Sequence, residues 1–346
     1  MTRFECDYSE GAHDKVLEML IKTNLEQTPG YGEDEFCAKA RGIIKDLCLS
    51  PDADVHFLVG GTQTNSVFIS SVLRSYQGVI CAESGHINVH ETGAIESRGH
   101  KVLPLPHKEG KISASQVKRF YKSHFDDPSS EHMVQPGMVY ISNPTENGTI
   151  YTKKELEDLS EVCRECALPL YMDGARLGYG LESYGNDLSL PDIARLCDAF
   201  YIGGTKIGAL FGEALVITNP AFKKDFRYYI KQHGGLLAKG RLLGIQFTAL
   251  LENGLYFDIS RHANRLAVKI RRAFEENGYE MLFDSYTNQQ FPILPDRLIE
   301  RLGEKYTFTF WEKAGEGKSA VRFCTSWATS EESADSLIKD IELLSV

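Results

Sequence analysis

Lys206 stands in the stretch "DAFYIGGTKIGALFGEALVI", with Gly203, Gly204, Gly208 and Gly212 and an otherwise apolar run around it. Burying an ammonium is costly unless it is paired or gives up its proton, so an amine held there is pushed toward its neutral, nucleophilic form. The chemistry that needs such an amine is Schiff-base formation with an aldehyde or ketone. Alone, a lysine in a glycine-rich loop reads as a snorkelling surface residue. Asp173 shifts that balance. It closes the run "PLYMD", with Arg176 three residues on, and an acid at the end of a buried strand needs a cation or a donor. That partner is either Arg176, in a turn ion pair, or a pyridinium nitrogen. A lysine Schiff base with an acid for a pyridinium is the signature of pyridoxal phosphate chemistry.

A phosphate needs its own cradle. In "VGGTQTNS" a strand leads through two glycines to a helix start, where free amides, the helix dipole and the hydroxyls of Thr62 and Thr64 converge. No Walker or GxGxxG pattern accompanies it, which favours a single phosphomonoester over a nucleotide. "AESGHINVHETGAIE" sets His86 a few residues beyond a strand, where an imidazole can lie over a flat ring and handle protons. His86 and His90 are spaced i, i+4, but there is no HExxH motif, and His90 reads as a helix-face histidine. Cys163 and Cys166 form one CxxC without a second pair, which reads as a helix-face coincidence. No metal site is expected.

The elements that must position these groups alternate from about Val55. Short β-rich runs, "VHFLV", "GVICA", "KVLPLP", "GMVYIS", "LPLYMD", "DAFYIGG" and "EALVIT", are mostly separated by helix-length segments. Among those segments are "GGTQTNSVFISSVLRSY", "SGHINVHETGAIESRG" and "KKELEDLSEVCREC". That pattern predicts a mainly parallel sheet flanked by helices, with ligands bound beyond the carboxyl ends of its strands. Thr62, Asp173 and Lys206 each end or follow a strand. From Lys223 to about Asn277 two long helices are expected, broken near Gly254. Then "FPIL", "KYTFTFWEK" and "SAVRFCTSW" read as strands before a last helix. The chain is thus expected to divide into an N-terminal segment (1–30) packing with the small domain or a subunit interface, a large domain (31–245) and a small C-terminal α+β domain (246–346).

Composition sets the outer limits. A chain of 346 residues with 42% hydrophobic and 25% charged residues can bury a sizeable core. A net charge of −10 argues against nucleic acid and anionic membrane as partners, while leaving room for a local basic pocket. The N-terminus has no apolar signal region and no run is long enough to span a bilayer, so a reduced, cytoplasmic enzyme is expected.

Together these residues resemble the threonine aldolase/β-eliminating lyase family, pyridoxal-phosphate enzymes of fold type I. The matching segments are "YGEDEF", "GGTQTN", "SGHINVHETGA", "MDGARLGYG", "GGTKIGALFGEALVI" and "AVRFCTSWATS". The lysine segment departs from the commoner "SKG" form, "HGGLLAKGRLLGIQF" differs from the usual arginine-bearing loop, and "SNPTENGT" carries Thr145 and Glu146 where many members have a histidine. This marks a divergent subgroup. The resemblance implies an aspartate-aminotransferase-like large domain and pyridoxal 5'-phosphate as cofactor. In it Lys206 would form the Schiff base and Asp173 would partner the pyridine nitrogen. Gly61 and Thr62 would hold the phosphate, and His86 would stack on the ring. Arg176 would bond the phenolic oxygen or the substrate carboxylate, which Arg322 would clamp, with Tyr31 and Ser9 also contacting substrate. Tyr31 would reach the site of a neighbouring subunit, which implies a homodimer or homotetramer.

The expected activity is aldol cleavage of a β-hydroxy-α-amino acid of the threonine or allo-threonine type to glycine and an aldehyde. His86, Glu91 through water, and Lys206 are the candidate bases. The competing readings are β-elimination or transamination on the same cofactor, and a non-catalytic binding protein on the same fold.

Overall fold

The computed structural model describes residues 1–345. Its centre is a seven-stranded sheet: β1 (Asp54–Leu58), β2 (Gln77–Ala82), β3 (Lys101–Leu105), β4 (Gln135–Ser142), β5 (Leu170–Asp173), β6 (Ala199–Gly203) and β7 (Glu213–Ile217), in spatial order β1-β7-β6-β5-β4-β2-β3. Six strands are parallel. β7 alone runs backwards, pairing antiparallel with β6 and β1. The reason is chain length. Only residues 204–212 join β6 to β7, too few for a parallel crossover. The inner strands β4 to β7 are buried almost throughout because apolar clusters cover both sheet faces, which is why they read as continuous apolar runs.

The flanking helices start where side chains can cap them. Ser113 with Gln116, Thr152 with Glu155, and Ser189 with Asp192 form reciprocal capping boxes. Helix α1 (Gly61–Val72) is the exception: Gly60 offers its N-terminus no side-chain cap. The segment "SGHINVHETGAIESRG" differs from its helical reading. It forms one turn, His86–Val89, and a short 3-10 turn, Glu96–Arg98, because Thr92 and Gly93 take left-handed backbone angles between them.

Four short strands, β8 (Gln289–Gln290), β9 (Ile293–Pro295), β10 (Thr309–Lys313) and β11 (Lys318–Cys324), make a small antiparallel sheet backed by a helix at Glu331–Leu344. A helix at Asp296–Gly303, which burial of Leu298 and Leu302 holds in place, was not expected from the sequence. At the N-terminus, Thr2–Arg3 pairs with Tyr306–Thr307 beside this sheet, and Phe4 joins its core. Helix α2 (Leu255–Glu276) begins after left-handed Gly254 and ties the two units together. Its first half (Leu255, Ile259, Ala263) belongs to the large core and its second half (Leu266, Ile270, Phe274) to the small one. Among the described residues no helix is long and apolar enough to cross a membrane.

Candidate active site

The carboxyl ends of β1, β4, β5 and β6 open on one cavity of about 550 Å³, within the range of small-molecule sites. Gly61, Thr62, His86, Asp173, Arg176 and Lys206 line it from the large sheet; Trp311 and Arg322 line it from the small one. The arrangement follows from strand direction. Parallel strands deliver their next residues to the same rim, so Ser142 and Asp173 stand side by side in register there.

Asp173 is buried and accepts four hydrogen bonds. The Tyr201 hydroxyl and the Ala175 amide (3.0 Å) donate to Oδ1; the Tyr140 hydroxyl (2.6 Å) and Asn65 Nδ2 (3.0 Å) donate to Oδ2. Burial pushes its proton affinity up, but the charge of His86 and the two tyrosines outweigh that and hold it below the ordinary aspartate value. It therefore stays ionised. No turn ion pair with Arg176 forms, because Arg176 is turned the other way.

Lys206 is the third residue of the loop after β6. Its carbonyl accepts from the Tyr179 hydroxyl at 2.6 Å, while its amine faces the cavity. Burial, then the Arg176 charge, lower its proton affinity, against the opposing pull of Asp7, Asp173 and Glu213. The surrounding glycines serve the backbone. A Cβ on Gly203 would meet the Ala175 carbonyl at 2.4 Å and one on Gly204 the Gly212 carbonyl at 2.8 Å, while Gly208 and Gly212 take φ of +82° and +125°. They fold a tight loop under the lysine; the room for a ligand lies elsewhere.

It lies at α1. The Gly61 and Thr62 amides open the helix with no acceptor in the chain, and Gly60 faces open space. The Thr64 hydroxyl is not part of this cradle: it bonds back to the Gly60 carbonyl at 2.9 Å. His86 Nδ1 lies 2.8 Å from Glu91 Oε1, and that same oxygen accepts from Asn65 Nδ2 at 2.7 Å. A buried chain thus runs from His86 through Glu91 and Asn65 to Asp173, with the Tyr171 hydroxyl donating to Asn65 Oδ1 at 3.0 Å. Burial alone would lower the affinity of His86 for a proton; the bond to Glu91 and the charge of Asp173 raise it overall.

The two arginines differ. Arg176 Nε and Nη2 both donate to Asp7, at 2.7 and 2.9 Å, so its charge is already neutralised and a ligand can claim only Nη1 and the second N–H of Nη2. Arg322 has no carboxylate within 4.0 Å among the described residues. Its guanidinium donates to Gln289 Oε1 and the Glu5 carbonyl, lies 5.7 Å over the Trp311 ring, and keeps a buried Nε–H without an acceptor. An anion would find its partner here.

Two residues expected at the site lie outside the cavity of their own chain. The Ser9 hydroxyl points to Cys6 Sγ at 3.2 Å on the surface, and the adjacent Tyr8 lines the cavity instead. Tyr31 is 46% exposed beside Lys231 and lines a separate small pocket. Conversely, His90, read as a helix-face residue, lines the cavity, because one helical turn, closed by its N–H on the His86 carbonyl, sets it beside His86 with the ring centroids 5.6 Å apart. Glu146 and Glu213 also line it. Sequence reasoning passed over Asp7, Asn65, Tyr140 and Tyr201, which come from four separate elements and carry no local pattern.

A pyridoxal phosphate molecule asks for an amine, an ionised acid and a phosphate cradle within one cavity, and Lys206, Asp173 and the unbonded amides of α1 supply them. The comparisons agree. The model of the beta-eliminating lyase family matches residues 9–296. The chain belongs to this family. It is 31% identical to the low specificity L-threonine aldolase of a Pseudomonas species, over 98% of this chain and 96% of that one. The corresponding Pseudomonas aeruginosa protein is 30% identical over 99% and 97%. Among solved structures, a Leishmania major threonine aldolase superposes with a TM-score of 0.97 at 46% identity, covering both chains fully. An aspartate aminotransferase variant of Thermus thermophilus, at TM-score 0.71 and 14% identity over 99% and 91%, shares the fold alone. The fold is that of type I pyridoxal-phosphate enzymes, and the family works with that cofactor.

Proposed function

We propose that this member of the family cleaves β-hydroxy-α-amino acids of the threonine and allo-threonine type to glycine and an aldehyde. The observation that carries the reading is one cavity in which Lys206, Asp173 and the α1 amides face an arginine without an acid, Arg322. The names and full-length similarity of the Pseudomonas and Leishmania proteins support it.

Pyridoxal phosphate, when bound, supplies the electron sink that makes a bond to the substrate Cα labile. The chain's own residues do the rest. The Lys206 amine, its proton affinity lowered by burial and by Arg176, would hold the cofactor, and the Gly61 and Thr62 amides would donate to its phosphate. Asp173, kept ionised by its donors, would partner the ring nitrogen, and His86 would lie against the ring. Arg322 takes the substrate carboxylate and so fixes which bond at Cα is aligned for cleavage; orientation of this kind contributes on the order of 7–11 kcal/mol. Glu91 engages His86 at Nδ1, which leaves Nε2 to accept the proton of the β-hydroxyl. The expected assembly is a homodimer or homotetramer, with the exposed Tyr31 facing a neighbouring subunit. Eight free cysteines support a reducing, cytoplasmic setting.

The test is product analysis with L-threonine, L-allo-threonine and phenylserine. Glycine plus the matching aldehyde is the expected outcome. Ammonia with a keto acid, or dependence on an amino acceptor, would replace this reading by elimination or transamination.

A further inference from the structure

Glu213 has no place in the mechanism above, yet it is a 3% exposed acid lining the same cavity as Lys206. It arrives there through the one reversed strand. β7 runs opposite to its neighbours, so its first residue, not its last, reaches the rim, paired with Gly203 on one side and Leu58 on the other. Glu213 Oε2 accepts from the Gly204 amide at 3.1 Å and Oε1 from Thr205 Oγ1 at 2.8 Å; Thr205 Oγ1 in turn accepts from the Gly212 amide at 3.0 Å. Both residues immediately before Lys206 are therefore tied to this one side chain.

We propose that Glu213 is a positioning residue for Lys206, holding the loop that carries the amine and, once ionised, acting as a counter-charge to it. The proposal rests on the reading of Lys206 as the cofactor-binding amine and adds what controls it. Four charged groups act on that amine: Arg176 opposes its ammonium form, and Asp7, Asp173 and Glu213 favour it. Asp7 is engaged by Arg176 and Asn288, and Asp173 by four donors. Glu213 is held only by the lysine's own loop. Burial raises its proton affinity to about 8, outweighing the Thr205 bond and the Lys206 charge that pull it down, so its charge appears in the range where the amine itself titrates and acid and amine answer to each other.

The test separates clamp from charge. In Glu213→Gln the side-chain carbonyl can still accept from the Gly204 amide and the NH₂ can donate to Thr205 Oγ1, so the clamp stays and the charge goes. Lys206 acetylation by dilute acetic anhydride is followed against pH by mass spectrometry on the full-length chain freed of cofactor, and visible absorbance against pH is followed on the holoenzyme. The expected result is a fall of about tenfold in the proton affinity of Lys206, with the holoenzyme titration moving the same way. Thr205→Val, which breaks one link and leaves the charge, should move the midpoint less. A Glu213→Gln midpoint equal to wild type overturns the proposal. Should Glu213→Gln fail to fold, Glu213→Asp draws the charge back by one methylene, and an unmoved midpoint there overturns it equally. Borohydride reduction that fails to fix the cofactor on the Lys206 peptide would instead remove the functional reading, and leaves the cofactor-free titration standing.

Discussion

The two sides of the cavity are built on opposite principles. On the large-sheet side the groups around the Lys206 amine and the α1 amides come with partners from the chain: Asp173 accepts four hydrogen bonds, Arg176 is bound through two nitrogens by Asp7, and His86 is tied to Glu91. On the small-sheet side Arg322 has neutral acceptors only and one buried N–H with none. The first half is pre-organised and holds its shape without a ligand. The second is left electrostatically open, and an incoming carboxylate completes it.

The largest break in this comparison is Lys206→Ala. We expect turnover to fall by roughly 10⁴-fold, the upper end for loss of a positioned reactive group, and borohydride to leave no cofactor attached to the chain. Full turnover with a reducible adduct would remove Lys206 from its role. Next comes the arginine pair, whose two members should fail in different measurements. Arg322→Ala should lower kcat/KM by about 10²–10³-fold, equivalent to roughly 3–4 kcal/mol, with unfolding little changed; lysine should not restore it, since the fork is lost. Arg176→Ala strands the buried Asp7 carboxylate and should cost about 3–5 kcal/mol in denaturant unfolding. If both variants showed the same profile, the division between a satisfied and an open half would be wrong.

Smaller effects sharpen the same picture. Tyr140→Phe takes one donor from an ionised acid and should cost about 1.5–3 kcal/mol at neutral pH. Asp173 has its proton affinity lowered by folding, so its contribution is present above the ordinary aspartate value and lost as pH falls through the folded-state value. The gap between wild type and Tyr140→Phe should therefore close in acid, and a pH-independent gap would deny the charge-assisted bond. His86 has the opposite sign. Its affinity is raised, so the stabilisation from Glu91 is complete below the ordinary histidine value and fades as pH rises through the folded one. Glu91→Gln should lower the His86 midpoint in an NMR titration. Least of all, Gly61→Ala brings a methyl to 3.0 Å from the Tyr201 hydroxyl and should cost about 1 kcal/mol, read as weaker retention of cofactor on dialysis.

What could be read ahead of the structure was what local sequence encodes. All seven strands of the large sheet appear in the chain as apolar runs; Asp173 ends one of them, and Thr62 and Lys206 stand just beyond two others. Long-range pairing could not be read. Asp7 and Arg176 are 169 positions apart, and no pattern near either announces the other. The histidines show the limit of a local pattern: the i, i+4 spacing sets His90 beside His86 on one helical turn, but nothing near either residue says that this turn opens on the cavity. Ser9 and Tyr31 were assigned to the site through resemblance, and neither lines this chain's own cavity.

By itself the sequence determined the chemistry on offer: an amine among apolar neighbours, an acid at a strand end, free amides at a helix start and the family to which they belong. Those are local properties, set by residue type and by the alternation of strand and helix. Only the tertiary structure decided which charges are spent and which remain, because that depends on neighbours far away in the chain. It paired Arg176, left Arg322 open, and, by reversing one strand for want of residues to cross over, set Glu213 beside the lysine loop.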